Sequence, residues 1–367
     1  MAAARALWLA LAGAVLAGAA PAATYLQEEL HIPAPGGDAA GLETLLVRAD
    51  QPGRHPLALI EHGSPRDAAE RPRMSPRAML PQALAFAERG FVAAVVMRRG
   101  YGGSGGGWAE DFGGCGRADY TAAGERGADD LRAAIAFLAT RPEVDATRVI
   151  SVGVSAGGFA TVALTAKAPP GLLAAISFAG GRGSTAPDTV CQADALVAAF
   201  RTYGRTSRVP MLWVYAENDH FFGPALAERL REAFVAGGGV VSFIKAPSFG
   251  GDGHLLFSGP GLPIWAPMVD DFLRSRGLAL LAQPLPGSEP PALNPPGELS
   301  QSGREAFAQY LASAPHKAFA IEPHGGYGWR TGQRTVEAAR EGALENCLKG
   351  GKRSGCRIIA VDDAAAE

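Results

Sequence analysis

The pentapeptide at residues 153–157, Gly-Val-Ser-Ala-Gly, places one serine between two glycines. It ends an apolar run at 149–154 and precedes a stretch of small residues at 159–167, which indicates a strand, a sharp turn and a helix. Such a turn exposes the serine at the edge of a sheet and requires glycine where the neighbouring backbone leaves no room for a Cβ atom. The chemistry that this pattern predicts is nucleophilic attack by Ser155 on an acyl group.

The pattern alone is weak evidence, because the chain contains 48 glycines among its 367 residues. A second copy at 102–106 also follows a predicted strand, but more glycine and Trp108 come next, with no helical pattern. We therefore interpret Ser104 as a loop residue. Ser155 is the candidate nucleophile because both expected elements surround it.

A serine nucleophile needs a base that accepts its proton. Between Ser155 and a proline-rich segment near residue 281, the candidates are His220 and His254. His254 lies in a glycine-rich loop between the last predicted strand and the last predicted helix, whereas His220 directly follows the acidic candidates. We predict His254 as the base, the alternative being an ordinary surface histidine.

The base in turn needs an acid that fixes its tautomer. Asp219 follows a predicted strand and gives the chain order Ser, Asp, His, so it is our first choice. Glu217 and Asp252 are the alternatives. Glu217 is nearer the end of the strand, and Asp252 is only two residues from His254.

The negatively charged oxygen of an acyl intermediate needs two backbone N–H donors. Ala156 follows the nucleophile at the start of a helix, whose dipole also favours negative charge. The second donor is expected from the loop after the third strand, where Ser64 lies in His-Gly-Ser-Pro. We predict Ala156 and Ser64 as this oxyanion hole and His62 as a residue that braces the loop.

These residues need a scaffold in which strand ends meet, and the hydrophobic pattern predicts one. Buried apolar runs alternate with helical patterns after an opening hairpin, which indicates an α/β fold: a mostly parallel central sheet with helices on both faces. Predicted strands are 25–32, 42–48, 56–61, 91–97, 149–154, 172–179, 209–215 and 240–245, and predicted helices are 79–90, 127–140, 159–167, 225–236 and 263–276. In such sheets, reactive groups collect on loops at the carboxyl ends of the strands.

The chain length is large for one domain and suits one large domain with a small one. We predict a catalytic domain at 24–280, a proline-rich linker at 281–300 and a small α+β module at 301–367. Two segments of the catalytic domain, 108–120 and 180–208, are the predicted insertions that shape a pocket. Large cap domains are not expected.

Residues 1–23 have the features of a secretory signal peptide: Arg5 in a short positive start, an apolar run, and Ala-Pro-Ala at 20–22 as a cleavage site. A retained anchor is the alternative, but the run is shorter than the roughly 20 residues that span a bilayer. We predict export to the periplasm or the cell exterior of a bacterium, with no membrane span after cleavage.

The four cysteines are interpreted in the light of export, because disulfides form in oxidising compartments. Cys347 and Cys356 are close in sequence and are predicted to pair with each other, which leaves Cys115 to pair with Cys191. The alternative is four buried free thiols. The cysteine and histidine spacings do not suggest a metal site.

The formal net charge of −2 indicates neither a basic surface for nucleic acid nor an acidic tail. A triad of this kind works without a cofactor, so we predict none, and the expected partner is a small-molecule ester. The oligomeric state is left open by the sequence.

Residues 25–280 resemble an α/β-hydrolase of the dienelactone hydrolase and prolyl-oligopeptidase-like branch. The resemblance rests on His-Gly-Ser-Pro at 62–65, Arg-Gly-Tyr-Gly-Gly-Ser at 99–104, the pentapeptide at 153–157, Glu-Asn-Asp at 217–219 and Gly-His at 253–254. It implies the α/β-hydrolase fold and assigns Ser155, Asp219 and His254 as the triad. True dienelactone hydrolases carry cysteine where this chain has Ser155.

The C-terminal segment resembles a small module of unknown function found on bacterial exported proteins. Its marks are Ala-Phe-Ala at 318–320, Gly-Trp at 328–329 and Cys-Arg-x-x-Ala-Val-Asp-Asp at 356–363. An accessory that packs on the hydrolase is favoured over a separate binding role. Together these patterns predict an exported serine hydrolase that cleaves carboxylic esters through an acyl-enzyme. The alternatives are a peptidase or amidase with the same triad and an inactive envelope binding protein.

Overall fold

The computed structural model describes residues 23–36, 38–287, 293–323, 325–350 and 355–366. The predicted signal peptide lies outside these residues except for Ala23, and so does part of the predicted linker. Within the described ranges, no helix has both the length and the hydropathy of a bilayer span.

An eight-stranded sheet forms the centre of the larger domain. In chain order, the strands of this domain are β1 (Tyr25–Ile32), β2 (Leu42–Ala49), β3 (His55–Glu61), β4 (Val92–Val96), β5 (Val144–Val154), β6 (Leu172–Phe178), β7 (Ser184–Ala186), β8 (Thr189–Val190), β9 (Met211–Ala216) and β10 (Val241–Ala246). The sheet has the order β1-β2-β4-β3-β5-β6-β9-β10, while β7 and β8 form a separate hairpin. Only β2 pairs antiparallel with its neighbours, so the predicted mostly parallel sheet is confirmed.

Helices cover both faces of this sheet, as predicted. They are α1 (Leu80–Glu88), α2 (Tyr120–Leu138), α3 (Ala156–Ala166), α4 (Ala193–Gly204), α5 (Pro224–Gly237) and α6 (Leu262–Ser275). One buried cluster joins the sheet to α2, α3, α4 and α5, through residues such as Leu131 and Phe200. A second cluster on the opposite face joins it to α1 and α6, through Phe86 and Trp265.

Helix α2 begins at Tyr120, seven residues before the predicted start at residue 127. Asp119 caps it by accepting a hydrogen bond from the Ala122 amide at 2.9 Å. Gly124 lies inside the helix because Tyr203 packs against it: a Cβ there would be 2.3 Å from the Tyr203 hydroxyl oxygen. Gly124 is therefore a packing contact between two helices.

Helix α4 falls within the segment at 180–208, which is predicted only as an insertion. Its buried positions Leu196, Ala199, Phe200 and Tyr203 follow the spacing of a helix that buries one face. The helical signal was therefore present in the sequence, and the omission was an error of interpretation. Residues 181–185 before α4 do line the cavity at Ser155, as predicted.

The C-terminal module is α+β, as predicted. Its elements are α7 (Gln301–Leu311), β11 (Ala318–Ile321), β12 (Tyr327–Arg330), α8 (Val336–Gly350), β13 (Arg357–Val361) and β14 (Ala364–Ala365). The antiparallel sheet has the order β12-β11-β13-β14. Phe307 of α7 and Ala343 of α8 belong to two separate buried clusters that include β11. From the sequence, residues 325–329 are predicted to form a turn, because three of the five are glycine and weaken the strand pattern; strand β12 corrects this prediction.

The module is attached to the larger domain by defined contacts. Arg334 forms two hydrogen bonds with the Glu43 carboxylate of β2, at 3.0 and 2.6 Å. Arg334 also donates to the Pro72 carbonyl at 3.4 Å. The domain boundaries at residues 280 and 300 stay predictions.

Both predicted disulfides are present. Cys115 and Cys191 have Cα atoms 5.0 Å apart, and Cys347 and Cys356 have theirs 6.2 Å apart. The first bond joins the segment before α2 to the start of α4, so it links the two segments predicted to shape the pocket. The second joins α8 to the segment before β13.

Candidate active site

Ser155 occupies the turn between β5 and α3, with φ 56° and ψ −122°. A positive φ is unfavourable for a residue with a Cβ atom, and such strain is found where the surrounding structure holds the residue for a purpose. Here the Ser155 amide donates to the Phe178 carbonyl at 2.9 Å, and the Ser155 carbonyl accepts from the Phe159 amide at 2.9 Å. The turn is thus held from the adjacent strand and from the helix.

The two glycines of the pentapeptide are required by close backbone contacts. A Cβ on Gly157 would lie 2.5 Å from the carbonyl oxygens of both Glu61 and His62. A Cβ on Gly153 would lie 2.4 Å from the carbonyl carbon of Gly157. The end of β3 therefore packs directly against the turn, which brings the loop after β3 beside Ser155.

Asp219 and His254 meet in the buried region behind this loop. The His254 Nδ1 atom lies 3.1 Å from Asp219 Oδ2, and both residues are buried. Because Asp219 is an acceptor, Nδ1 carries the proton of this bond and Nε2 is the nitrogen with a free lone pair. The pair therefore has the tautomer that a general base requires.

The Asp219 carboxylate is stabilised in its charged form. Burial acts to raise its pKa, but the hydrogen bond and charge of His254 and the amides of Phe222 and Phe221 outweigh it, so the pKa lies below its ordinary value. These amides donate to Asp219 Oδ1 at 2.8 and 2.7 Å. Asp219 is accordingly an anion at neutral pH.

Aromatic packing fixes the plane of the His254 ring. Phe221 stacks on it with ring centroids 3.9 Å apart. On Phe221 lies the guanidinium of Arg66, 3.5 Å from the ring centroid. The base is thus held by a hydrogen bond at one edge and by an aromatic ring on one face.

Ser155 opens into a cavity of about 230 Å³ that is also lined by Ser64, Ala156, Phe221 and Trp108. No hydrogen bond joins the Ser155 hydroxyl to the His254 ring within the described part of the chain. In proteins of this type without substrate, such bonds are often long and shorten in the substrate complex. Phe221 connects the two residues, since it stacks on His254 and lines the cavity of Ser155.

The two predicted oxyanion donors face the same cavity. Among the described residues, neither the Ser64 amide nor the Ala156 amide donates a hydrogen bond to another protein group. The Ser64 loop is braced by His62, whose Nδ1 contacts the Gly63 carbonyl at 2.6 Å and whose Nε2 accepts from the Arg98 amide at 3.1 Å. Both amides therefore remain available to a ligand, and His62 has the bracing contacts expected of it.

The alternative residues have other contacts. Asp252 accepts hydrogen bonds from the amides of His254 and His220 and makes no bond to the His254 ring. Glu217 is exposed, and His220 pairs with Asp188 at 3.0 Å on the surface. In its loop, the Ser104 hydroxyl donates to the Met97 carbonyl at 2.6 Å and accepts from the Glu43 amide.

Beneath the cavity lies a buried ionic cluster that no pattern in the sequence predicts. The Glu110 carboxylate is fully buried and contacts Arg98 on one side and Arg182 on the other. Its remaining partner is the Tyr101 hydroxyl, which donates to Glu110 Oε2 at 3.0 Å. Burial alone would raise the pKa of Glu110, but the two guanidinium groups lower it to about 2. Glu110 is therefore a permanent anion between two cations.

Burial keeps a second carboxyl beside this cluster, that of Glu61, neutral. Burial raises the pKa of Glu61 to about 8, and the attraction of Arg98, whose Nη1 lies 3.6 Å away, reduces this rise only in part. At neutral pH the group of Glu61, Glu110, Arg98 and Arg182 therefore carries net positive charge. Arg182 extends this charge to the wall of the cavity that contains Ser155.

Changing Glu110 to glutamine is expected to lower the free energy of unfolding by about 3–5 kcal/mol, because it leaves two buried guanidinium groups without a counter-charge. The measurement is urea unfolding followed by circular dichroism. Glu125→Gln is the matched control, since Glu125 forms an exposed pair with Lys167 and should change the value by less than about 0.5 kcal/mol. Equal effects of the two variants would contradict this role of Glu110.

Three arginines line the cavity without having been predicted: Arg66, Arg71 and Arg182. Arg71 lies over the Trp108 ring at 3.4 Å from its centroid. They come from two distant segments and follow no motif, so no local pattern in the sequence pointed to them. In the described ranges, no group of three or more His, Cys, Asp and Glu residues is arranged to bind a metal ion.

Comparison with known proteins agrees with the resemblance in the sequence. Residues 83–254 match the model of the dienelactone hydrolase family. The match includes Ser155 and Asp219 and ends at His254. Among curated proteins, none matches the chain.

Solved structures with a similar fold include esterases and peptidases. Thermogutta terrifontis esterase 2 has 17% sequence identity and a TM-score of 0.48, over 70% of this chain and 96% of the esterase. Pyrococcus horikoshii acylaminoacyl peptidase has 16% identity and a TM-score of 0.48, over 72% of this chain and 43% of the peptidase. A puromycin-hydrolyzing peptidase of Mycobacterium tuberculosis has 16% identity and a TM-score of 0.49, over 69% of this chain and 40% of the peptidase chain.

Proposed function

We propose that this protein is an exported serine hydrolase that cleaves carboxylic esters through an acyl-enzyme. The observation that carries the proposal is the buried Asp219–His254 hydrogen bond beside a strained serine that opens into a cavity. A serine held at a positive φ and a histidine with an orienting acid are the parts that acyl transfer requires. The two disulfides support export, because such bonds persist in oxidising compartments.

In the proposed reaction, His254 Nε2 accepts the Ser155 proton while Oγ forms a bond to the ester carbonyl carbon. The carbonyl oxygen becomes negatively charged and accepts hydrogen bonds from the Ala156 and Ser64 amides. When the intermediate collapses, the C–O bond to the alcohol breaks and His254 donates its proton to the leaving oxygen. Water then attacks the acyl-enzyme with the same base, which releases the carboxylic acid and restores Ser155.

The charge of the cavity favours this transition state. The guanidinium group of Arg182 lines the wall, and the cluster beneath it carries net positive charge at neutral pH. A preorganised positive potential stabilises an oxyanion more than it stabilises the neutral ester, so it lowers the barrier instead of only tightening substrate binding.

A fluorophosphonate probe tests this proposal, because it reacts only with an activated serine. We expect one labelled peptide containing Ser155, in a protein found in the periplasmic or extracellular fraction with a mass that corresponds to cleavage near residue 22 or 23. The same preparation is expected to hydrolyse p-nitrophenyl acetate faster than p-nitroacetanilide. Absence of labelling would refute the serine mechanism, and faster hydrolysis of the anilide would favour an amidase.

A further inference from the structure

A second cavity, of about 450 Å³, lies where the C-terminal module meets the larger domain. From the larger domain, its walls include Gly63, Val154, Gln82 and Phe257. Residues 330–333, at the end of β12 and in the segment after it, form the wall on the side of the module. The cavity is therefore built by both parts of the chain.

This cavity is lined by neighbours of the candidate nucleophile. Val154 precedes Ser155 in the chain, and a Cβ on Gly63 would lie 3.1 Å from Ser155 Cβ and 3.7 Å from its Oγ. Pro65 lines both this cavity and the smaller one that Ser155 faces. The loop at 62–65 thus lies between the two spaces, and Ser155 lies beside this loop. An ester has two sides, and each space has room for one.

One residue that lines the second cavity, Gln82, has a buried polar atom without a partner. The Gln82 side chain is only 5% exposed, and its Nε2 donates to the Phe257 carbonyl at 2.8 Å. That bond fixes the orientation of the amide, and it leaves Oε1 buried without a hydrogen bond among the described residues. A buried acceptor of this kind is costly unless a ligand donates to it. The remaining walls include apolar groups such as Met79, Val154 and Phe257.

The wall contributed by the module is held firmly in place. Gly332 has φ +63°, and a Cβ there would be 2.6 Å from the Cα of Ala78. His316 Nδ1 contacts the Gln333 carbonyl at 3.1 Å. The next residue, Arg334, is bound by the Glu43 carboxylate. Residues 330–333 are therefore positioned by contacts on both sides and form a shaped surface.

We propose that this second cavity is a substrate subsite completed by the C-terminal module. It takes the side of the ester that carries an apolar group with a hydrogen-bond donor, a hydroxyl or an amide N–H, and Gln82 Oε1 accepts that bond. The inference rests on the proposed function of Ser155. It gives the module a role in selecting substrates, where the sequence favoured an accessory that packs on the hydrolase.

The test fills the subsite with a larger side chain on the C-terminal module. Thr331 is half-buried, lines the cavity, and its hydroxyl makes no hydrogen bond among the described residues, so Thr331→Trp adds bulk without removing a bond. Arg304→Trp is the matched control, since it adds the same side chain at an exposed position of α7. Substrates are p-nitrophenyl acetate, p-nitrophenyl hexanoate and its ω-hydroxy analogue, with hexyl acetate and ω-hydroxyhexyl acetate as the series on the alcohol side.

We expect Thr331→Trp to lower kcat/KM about tenfold for the substrates of one series that carry a six-carbon group. The kcat/KM for p-nitrophenyl acetate should not change, and the control variant should behave like wild type on all substrates. The series that responds identifies the side of the ester that the subsite holds. In wild type, the ω-hydroxy member of that series should be preferred about 3- to 10-fold, and Gln82→Met should abolish the preference. If Thr331→Trp does not fold, loss of the preference in Gln82→Met carries the test.

Unchanged selectivity in both variants, with p-nitrophenyl acetate still hydrolysed, would overturn the subsite and leave the serine hydrolase intact. An equal loss of kcat/KM on all substrates would also overturn it, because such a loss indicates damage to the reaction centre and shows no selection among substrates. Failure of the wild-type protein to hydrolyse any of the esters would instead refute the function on which the subsite rests.

Discussion

Replacement of Ser155 by alanine is expected to lower kcat for p-nitrophenyl acetate by on the order of 10⁶-fold. Without its hydroxyl the protein cannot form the acyl-enzyme, and the Asp219–His254 pair has no proton to accept from residue 155. Some catalysis should remain, because the Ser64 and Ala156 amides can still polarise a bound ester. The measurement is steady-state hydrolysis, with the concentration of folded protein checked by circular dichroism.

Ser104→Ala is the control for this variant, because Ser104 stands in the same five-residue pattern. Its hydroxyl bonds to the Met97 carbonyl and the Glu43 amide within a loop, so its loss should leave kcat within about tenfold of wild type. If the two variants lost activity to the same degree, or if Ser155→Ala stayed active, the assignment of the nucleophile would be wrong.

Asp219→Asn is expected to lower kcat by about 10⁴-fold. An asparagine in this position can donate a hydrogen bond to His254 Nδ1. This bond favours the tautomer with the proton on Nε2, which cannot accept a proton from Ser155. The size of the residue hardly changes, so the buried packing should persist. Substrate affinity should change little, since Asp219 does not line the cavity of Ser155, and the loss should appear in kcat.

Glu217→Gln serves as the matched control, because Glu217 is exposed and lies two residues before Asp219. It should retain wild-type kcat. A larger loss in Glu217→Gln than in Asp219→Asn would show that the acid had been chosen wrongly. Acid titration gives a second check: the lowered pKa of Asp219 means that its stabilising charge is present above about 3.8, its ordinary value, and is lost as the pH falls.

The sequence was sufficient for the parts of the site that lie on regular elements. A strand, a glycine-flanked serine and a helix of small residues follow one another directly, so the turn at Ser155 is visible in one short window. Asp219 and His254 could be selected because they follow strand ends in a known order of elements. These predictions needed no knowledge of which side chains meet across the fold.

The ionic cluster and the second cavity could not be predicted in this way. Arg98 and Glu110 come from the loop between β4 and α2, and Arg182 comes from the loop after β6. A charged residue in a glycine-rich loop is ordinarily exposed. Gln82 lies on a helix whose pattern only indicates a buried face. Its oxygen lacks a hydrogen-bond partner because of tertiary contacts, which no local pattern in the sequence shows.

The disulfide between Cys115 and Cys191, 76 residues apart, closes a ring of polypeptide that contains Ser155 but neither Asp219 nor His254. A protease that cuts once inside this ring produces two pieces that stay in one molecule until the bond is reduced. A single cut between the ring and Asp219 instead releases the nucleophile from its acid and base once packing is lost. A single proteolytic cut should therefore be tolerated before Cys191, inside the ring, and should separate the catalytic residues when it falls between Cys191 and Asp219.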